Sequence, residues 1–141
     1  MKKNETAYRS KFSACSIYRI LDANFNRAME GLRVIEDTFR FIYNEKKYFT
    51  CIRKIRHQLG EIIKKIYPQL ISSRDAKKDN GLKLKEGKRK NINSILVVNF
   101  QRVKQAIRVL EEYSKLISAD AGMKLKKIRF RVYQIEKDCF S

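Results

Sequence analysis

The sequence predicts an all-α fold, a helical bundle of two repeated helical hairpins joined by a long middle linker. Four segments carry apolar residues at the three- and four-residue spacing of one helix face. A signature rich in arginine and carboxylate starts at Asn24 and occurs again 75 residues later, at Asn99. No segment shows the alternation that is typical of a half-buried strand. Since the repeat divides the chain into two similar halves, each half is expected to form one hairpin.

The first predicted hairpin covers residues 16–67. Its first helix runs from about Ser16 to Tyr43, and its second helix runs from about Lys46 to Tyr67. Pro68 stops the second helix, because proline has no N–H to donate to the helical ladder. The apolar stripe of the first helix consists of Leu21, Phe25, Ala28, Leu32, Ile35, Phe39 and Ile42.

Residues 68–92 form the predicted linker or lid, since they show no periodicity and contain the turn sequence Asp79-Asn80-Gly81. The second hairpin covers residues 93–140. Its helices, the third and fourth of the chain, are predicted at about 93–117 and 123–139, again from apolar residues at helical spacing. The whole chain of 141 residues is long enough for a single domain with its own core.

The composition is strongly basic. The formal net charge is +18, from 33 lysines and arginines against 15 acidic residues. A charge of this size predicts an anionic partner: nucleic acid, a membrane surface or phosphorylated small molecules. A solvated lysine-rich surface accounts for part of the excess, and charge alone does not choose among the partners.

The sequence gives no sign of export or membrane insertion. Residues 1–14 are polar, are expected to be flexible, and lack the apolar core of a signal peptide; no apolar run approaches the length of a membrane span. Cys15, Cys51 and Cys139 lie far apart and match neither a disulfide framework nor a zinc site. We therefore expect a cytoplasmic protein with buried or inert thiols and no membrane partner.

Two carboxylates and two arginines fall on the core-facing sides of the predicted helices. With about 100° of rotation per residue, Glu36 lies inside the apolar arc of the first helix and Glu111 inside that of the third. Arg56 and Arg129 lie on the apolar sides of the second and fourth helices. Because a buried charge is costly unless it is paired, these positions predict Arg–Glu pairs that link the helices. The pairs either fix the packing alone or also serve a functional site.

A second set of polar residues lies at the opposite edge of the same apolar faces. An asparagine and an arginine on one line supply amide groups and phosphate-binding donors. Gly31, inside a helix, indicates close approach of either a neighbouring helix or a ligand, since glycine costs about 1 kcal/mol against alanine there. The set follows i, i+3, i+7 spacing on the first and third helices: Asn24, Arg27 and Gly31, then Asn99, Arg102 and Ala106.

The linker contains a third set of candidates. Arg74 could hold a phosphate, and Asp75 and Asp79 could bind Mg²⁺ through carboxylate oxygens. A connection of this length in a compact domain is usually either functional or disordered, so a solvated linker remains the alternative.

Several of these segments together resemble the small hydroxymethylpyrimidine phosphate kinases, a family that occurs alone or fused ahead of thiamine phosphate synthase. The resemblance covers about residues 17–137, with the motifs in order and at suitable spacing. Gln105 stands where the third motif usually carries glutamate, which favours the first half of the repeat, through Glu30, as the working copy. Asn80 stands where the linker motif usually has an apolar residue. The matching segments are Leu21 to Asp37, Ile55 to Leu59, Ser73 to Asp75 with Asp79 and Gly81, Asn99 to Tyr113, and Arg129 to Lys137.

The resemblance implies phosphoryl transfer from ATP to 4-amino-5-hydroxymethyl-2-methylpyrimidine phosphate, with Mg²⁺ as the cofactor. It implies a phosphate clamp and catalytic site made of Arg27, Glu30, Arg56, Arg74 and Arg102, with Asp75 and Asp79 as metal ligands. It implies that Glu36 and Glu111 orient the arginines, and that Gly81 lets the linker close as a lid over the nucleotide. The residues expected to bind substrate or nucleotide are Asn24, Gly31, Asn99, Gly81 and Arg129.

Two other classes of function remain open at this point. One is a noncatalytic regulatory or partner domain that acts in trans on thiamine phosphate synthase. The other is a basic helical nucleic-acid-binding protein, which the acidic residues at the candidate site disfavour because they repel phosphate backbones. The sequence also leaves open whether two copies of the chain assemble into a homo-oligomer with a shared site.

Overall fold

The computed structural model describes residues 13–141, and the prediction of a flexible N-terminus lies outside the described residues for 1–12. The all-α prediction is confirmed: the described part of the chain contains four main helices and no strand. Ser13 caps the first helix by accepting a hydrogen bond from the Ser16 N–H at 3.2 Å. Residues 13 and 14 therefore already belong to the start of the bundle.

Helix α1 spans Ala14–Asp37 and continues as a π-helical turn over Thr38–Ile42. The predicted helix thus has the right length, but its last turn is wider than an α-helix. Both the hydroxyl and the N–H of Thr38 donate to the Val34 carbonyl, so the ladder is disturbed at that point. The turn closes with a hydrogen bond from the Tyr43 N–H to the Thr38 carbonyl at 3.2 Å.

Helix α2 spans Lys46–Ile63, which is shorter than predicted, and a 3-10 turn follows over Lys64–Ile66. Helix α3, Tyr67–Ser73, then begins at the last residue of the predicted second helix and extends into the segment that was predicted to be linker. Pro68 explains both differences, because its ring ends the α2 ladder but fits the first turn of a new helix. The linker proper therefore begins at residue 74.

The linker, residues 74–91, contains two 3-10 turns, Ala76–Lys78 and Asn80–Lys83. Helix α4 spans Ile92–Ser114, and Asn91 caps it through its side-chain oxygen, which accepts from the Ser94 N–H at 2.8 Å. Helix α5 spans Ala119–Cys139. It begins four residues before the predicted start, because the Ser118 hydroxyl caps it.

The repeat in the sequence is also a repeat in the packing. Helices α1 and α4 form the central pair, α2 packs on α1, α5 packs on α4, and α2 also contacts α5. The core contains residues from every helix, with α3 contributing Leu70. No helix of the described residues is long and apolar enough to cross a membrane.

Candidate active site

Two clefts adjoin on one side of the central helix pair. The first, of about 970 Å³, lies between α1 and the linker, and the second, of about 630 Å³, lies between α1 and α4. Asn24, Arg27 and Glu30 of α1 line both clefts. A ligand in one cleft and a ligand in the other would therefore meet across the same three side chains.

The first cleft contains cations and carboxylates in equal number. Arg19 and Arg27 stand on the α1 side, while Arg74 and Lys78 stand on the linker side. The carboxylates that line this cleft are Asp22, Glu30, Asp75 and Asp79. Such a mixture can hold a metal-bound polyphosphate, since the acids bind the metal and the cations bind the phosphates.

Arg74, expected to clamp phosphate, is held by Asp22. Its Nε donates to Asp22 Oδ2 at 2.8 Å, and its Nη2 donates to Asp22 Oδ1 at 2.7 Å. This hydrogen bond to Asp22 raises the pKa of Arg74. A guanidinium has five N–H donors, so three remain for a ligand. The structure thus gives Arg74 a partner within the protein in addition to a place in the first cleft.

Asp22 was missed among the candidates from the sequence, although it lies inside the first motif. On the helical wheel it falls about 160° from Asn24, at the edge of the apolar arc, where an unpaired carboxylate is costly. It is 5% exposed and also accepts from the Asn26 side-chain amide at 3.2 Å. Its position on the helical wheel could therefore have indicated a buried ion pair.

Asp75 and Asp79, the expected metal ligands, both line the first cleft. Each also caps a linker turn: Asp75 accepts from the Lys78 N–H at 3.3 Å, and Asp79 accepts from the Gly81 N–H at 2.8 Å. Within residues 13–141 no three His, Cys, Asp or Glu side chains gather as a metal cluster. Mg²⁺ usually takes one or two carboxylates together with water and substrate phosphates, so these two aspartates fit that partial role.

The second cleft is built from residues that match each other in the repeat. Both asparagine amides turn back to their own helix, Asn24 donating to the Ile20 carbonyl at 2.9 Å and Asn99 to the Ile95 carbonyl at 2.8 Å. The cleft thus presents the two polar lines that the sequence predicted. The matching pairs that line it are Asn24 and Asn99, Arg27 and Arg102, Glu30 and Gln105, Gly31 and Ala106, and Val34 and Val109.

The two arginines of the second cleft have different partners. Arg27 donates to the side-chain oxygen of Asn24 at 3.4 Å, within its own helix. Arg102 donates to Glu86 of the linker at 3.1 Å, and both side chains of this pair are exposed. Each arginine can therefore reach an anion in the cleft, although Arg102 must first exchange its bond to Glu86.

Gly31 serves the contact between α1 and α4. A Cβ at this position would lie 2.7 Å from Val103 Cγ2 and 3.4 Å from the Asn99 carbonyl oxygen. The interpretation as a helix contact is therefore correct, and Gly31 lines the second cleft as well. Gly81 lies in the second linker turn at a negative φ and lines neither cleft.

Both predicted Arg–Glu pairs are present. Arg56 Nε donates to Glu36 Oε2 at 2.8 Å, and Arg129 Nε donates to Glu111 Oε2 at 2.8 Å. Arg129 also donates to the Tyr133 hydroxyl at 3.1 Å, and its pKa is raised chiefly by the hydrogen bond to Glu111. These four residues line neither cleft, so the structure does not bring them to the phosphate clamp or the substrate site.

The chain resembles known proteins along most of its length. The model of the ThiD2 family matches residues 19–138. The thiamine-phosphate synthase of Nostoc punctiforme is 42% identical over 125 residues, which are 86% of this chain and 35% of that protein. The thiamine-phosphate synthase of Gloeobacter violaceus is 39% identical over 123 residues, which are 85% of this chain and 35% of that protein.

A relative of lower identity also matches the chain over about a third of its own length. The thiamine-phosphate synthase of Rhodopirellula baltica is 36% identical over 122 residues, which are 84% of this chain and 32% of that protein. The chain thus spans about a third of the length of the curated relatives it matches. No solved structure matches it.

Proposed function

This chain belongs to the ThiD2 family, and on that premise we propose that it is an ATP-dependent kinase of thiamine biosynthesis. Its substrate is 4-amino-5-hydroxymethyl-2-methylpyrimidine phosphate, and its product is the diphosphate. The observation that carries the proposal is the pair of adjoining clefts that share Asn24, Arg27 and Glu30. A phosphoryl transfer needs two anionic ligands to meet end to end, and this geometry supports such a meeting.

The first cleft takes the triphosphate of ATP. Its cations bind phosphate oxygens, and Mg²⁺ held by Asp75 and Asp79, directly or through water, would neutralise the charge on the triphosphate. Arg74 contributes the N–H groups that Asp22 leaves free. The volume of about 970 Å³ leaves room for a nucleotide in this larger cleft.

The second cleft takes the pyrimidine phosphate. Arg27 and Arg102 bind its phosphate, and the remaining amide groups of Asn24 and Asn99 bind ring nitrogens. Glu30, an exposed carboxylate on the shared wall, accepts a hydrogen bond from the amino group of the pyrimidine. Its match in the repeat is Gln105, so only one half of the cleft carries this acidic residue.

The reaction needs no general base. The nucleophile is an oxygen of the substrate phosphate, which is largely dianionic at neutral pH because its second pKa is about 6. This oxygen forms a bond to the γ-phosphorus of ATP while the bond from that phosphorus to the β,γ-bridging oxygen breaks, and ADP leaves. The protein therefore acts by positioning and by neutralising charge, and Arg27 on the shared wall contacts both ligands.

Arg56, Arg129, Glu36 and Glu111 have a supporting role in this proposal. They join α2 to α1 and α5 to α4 outside the clefts, and so fix each outer helix against one helix of the central pair. Removal of these pairs would lower stability before it changed any ligand contact.

The test is product formation by the purified chain. With Mg-ATP and the pyrimidine phosphate, ³¹P NMR should show a new diphosphate that accumulates in equal amount with ADP, and EDTA should stop the reaction. ATP hydrolysis without diphosphate, or no reaction by a chain whose helical circular dichroism is intact, would overturn the proposal.

A second candidate is favoured by the length of the relatives. The chain covers only about a third of proteins named thiamine-phosphate synthase, so a partner or regulatory domain of such a synthase is a coherent alternative. In that case the chain should co-elute with a synthase that lacks this region and should change the reaction rate of that synthase. The chain itself should not turn over ATP. Turnover without co-elution would exclude this second candidate.

A further inference from the structure

The linker between α3 and α4 is attached to the helices at its two ends. Its side chains between residues 75 and 85 make no hydrogen bond or salt bridge to a helix within the described part of the chain. The attachments are Arg74, which pairs with Asp22 of α1, and Glu86, which pairs with Arg102 of α4. The position of Asp75 and Asp79 over the first cleft therefore depends on these two ion pairs.

The two ion pairs are unequal. Glu86 and Arg102 form one hydrogen bond at 3.1 Å, with side chains 67% and 46% exposed. Asp22 binds Arg74 through two parallel bonds, and its side chain is 7% exposed. Exposed single contacts contribute little, whereas a bidentate pair on a buried carboxylate is both stronger and better defined in direction.

Asp22 also binds the chain at the point where the linker begins. Arg74 is the residue at which the backbone leaves α3, so its side chain fixes the direction of the linker from its first residue. Asp22 itself is fixed by the buried face of α1 and by the amide of Asn26. Its match in the repeat is Val97, which cannot hold an arginine, so only the first half of the repeat has this anchor.

We infer that Asp22 is a positioning residue for the proposed phosphoryl transfer: through Arg74 it holds the linker so that Asp75 and Asp79 face Arg27 and Glu30 across the first cleft. The inference rests on the proposed function for its catalytic consequence, but the attachment of the linker can be measured without turnover. Asp22 acts through Arg74, because its two carboxylate oxygens accept hydrogen bonds from Arg74 and Asn26.

The test is limited proteolysis of the folded full chain with trypsin. Lys77, Lys78 and Lys83 lie in the linker turns and are exposed, so they report how often the linker leaves its place. Asp22→Asn should speed cleavage at these lysines about five- to tenfold, because cleavage follows the population of the open form. Glu86→Gln, which removes the weaker attachment, should speed it about twofold or less.

Two further measurements separate attachment from general destabilisation. Arg74→Lys keeps the charge and the chain's tryptic sites but loses the parallel bonds, so it should speed linker cleavage as Asp22→Asn does. The double variant should be cleaved no faster than either single variant. Unchanged linker cleavage in both single variants, or additive effects in the double variant, would overturn the inference.

The kinetic measurement uses the same variants. In Asp22→Asn the KM for Mg-ATP should rise about tenfold while the KM for the pyrimidine phosphate stays near its wild-type value, since a tenfold change follows from the loss of a charged hydrogen bond. Equal changes in both KM values would contradict the positioning role. A wild-type chain with no turnover but the predicted proteolysis pattern would refute the proposed function and leave the anchoring by Asp22 in place.

Discussion

At the scale of single residues, Glu30 and Gln105 occupy matching positions on the two walls of the second cleft. Glu30→Gln makes the two walls alike, and we expect the KM for the pyrimidine phosphate to rise about tenfold, because a charged acceptor binds an amino group more strongly than a neutral one. Glu61→Gln, at an exposed glutamate of α2 that lines neither cleft, is the matched control and should leave that KM within about twofold of wild type. Steady-state kinetics with saturating ATP measures both, and equal effects of the two substitutions would contradict the assignment of Glu30.

The cysteines differ in their surroundings. Cys15 is exposed, so the expectation of a buried thiol is wrong at that position, whereas Cys139 is half-buried. Burial raises the pKa of Cys139 to about 12. Because the thiolate is the nucleophile, we expect iodoacetamide at pH 8 to label Cys15 well before Cys139, and labelling of Cys139 to keep rising with pH beyond pH 9. Peptide mass spectrometry measures this, and equal labelling rates at pH 8 would contradict it.

Single residues also show why part of the site could not be predicted. The Arg56–Glu36 and Arg129–Glu111 pairs were predictable. In each pair both residues lie on the apolar faces of their helices, and the two helices belong to the same predicted hairpin. The Arg74–Asp22 pair joins residues 52 positions apart and depends on where α3 directs the chain. No periodicity in the sequence carries that information.

At the scale of the elements, the contact of α1 with α4 depends on Gly31. Val103 is fully buried and β-branched, so it has little freedom to move away from an added Cβ. Gly31→Ala should therefore lower the free energy of unfolding by about 1–2 kcal/mol despite the better helix propensity of alanine.

Gly60 of α2 is the matched control for Gly31. A Cβ at that position meets no atom within 4 Å. Gly60→Ala should raise the free energy of unfolding by about 0.5–1 kcal/mol, because alanine is the better helix former. Urea denaturation of both variants measures the difference, and stabilisation by Gly31→Ala would refute the close contact.

The Glu111–Arg129 ion pair between α4 and α5 gives a second prediction for the elements. Glu111 is buried and holds Arg129, whereas its neighbour Glu112 is exposed and pairs with Arg108 and Lys115 on the same surface. Glu111→Gln should cost about 3 kcal/mol of unfolding free energy, since Arg129 stays buried without its counter-charge. Glu112→Gln should change stability far less. Similar thermal unfolding of the two variants would contradict the importance of the buried pair.

The four main helices could be predicted because each presents a continuous apolar face to the bundle. Helix α3 could not, since it has only seven residues and buries Leu70 alone. The π-helical turn depends on the Thr38 side chain, which competes for the Val34 carbonyl, and Ile42 of the predicted apolar stripe is exposed in this turn. Short elements are therefore set by local hydrogen bonds and packing that a hydrophobic pattern does not record.

At the scale of the whole molecule, the positive charge is distributed unevenly. The central helices α1 and α4 carry six lysines and arginines against six acidic residues, whereas α2 and α5 carry eleven against four. The clefts are thus lined by nearly balanced charges inside a positive molecule. Such a field attracts anionic ligands from a distance, while specific contacts in the clefts decide what binds.

The central claim is that the two clefts form one site around Arg27, and the most direct test compares two arginines. Arg27 lies on the shared wall, and Arg53 is an exposed arginine of α2 outside both clefts, so Arg53→Ala removes the same charge from the molecule. We predict that Arg27→Ala lowers kcat/KM for diphosphate formation by about 10²-fold or more, whereas Arg53→Ala keeps it within about twofold of wild type. Equal kcat/KM values for the two variants, or a folded wild-type chain that forms no diphosphate, would contradict the account.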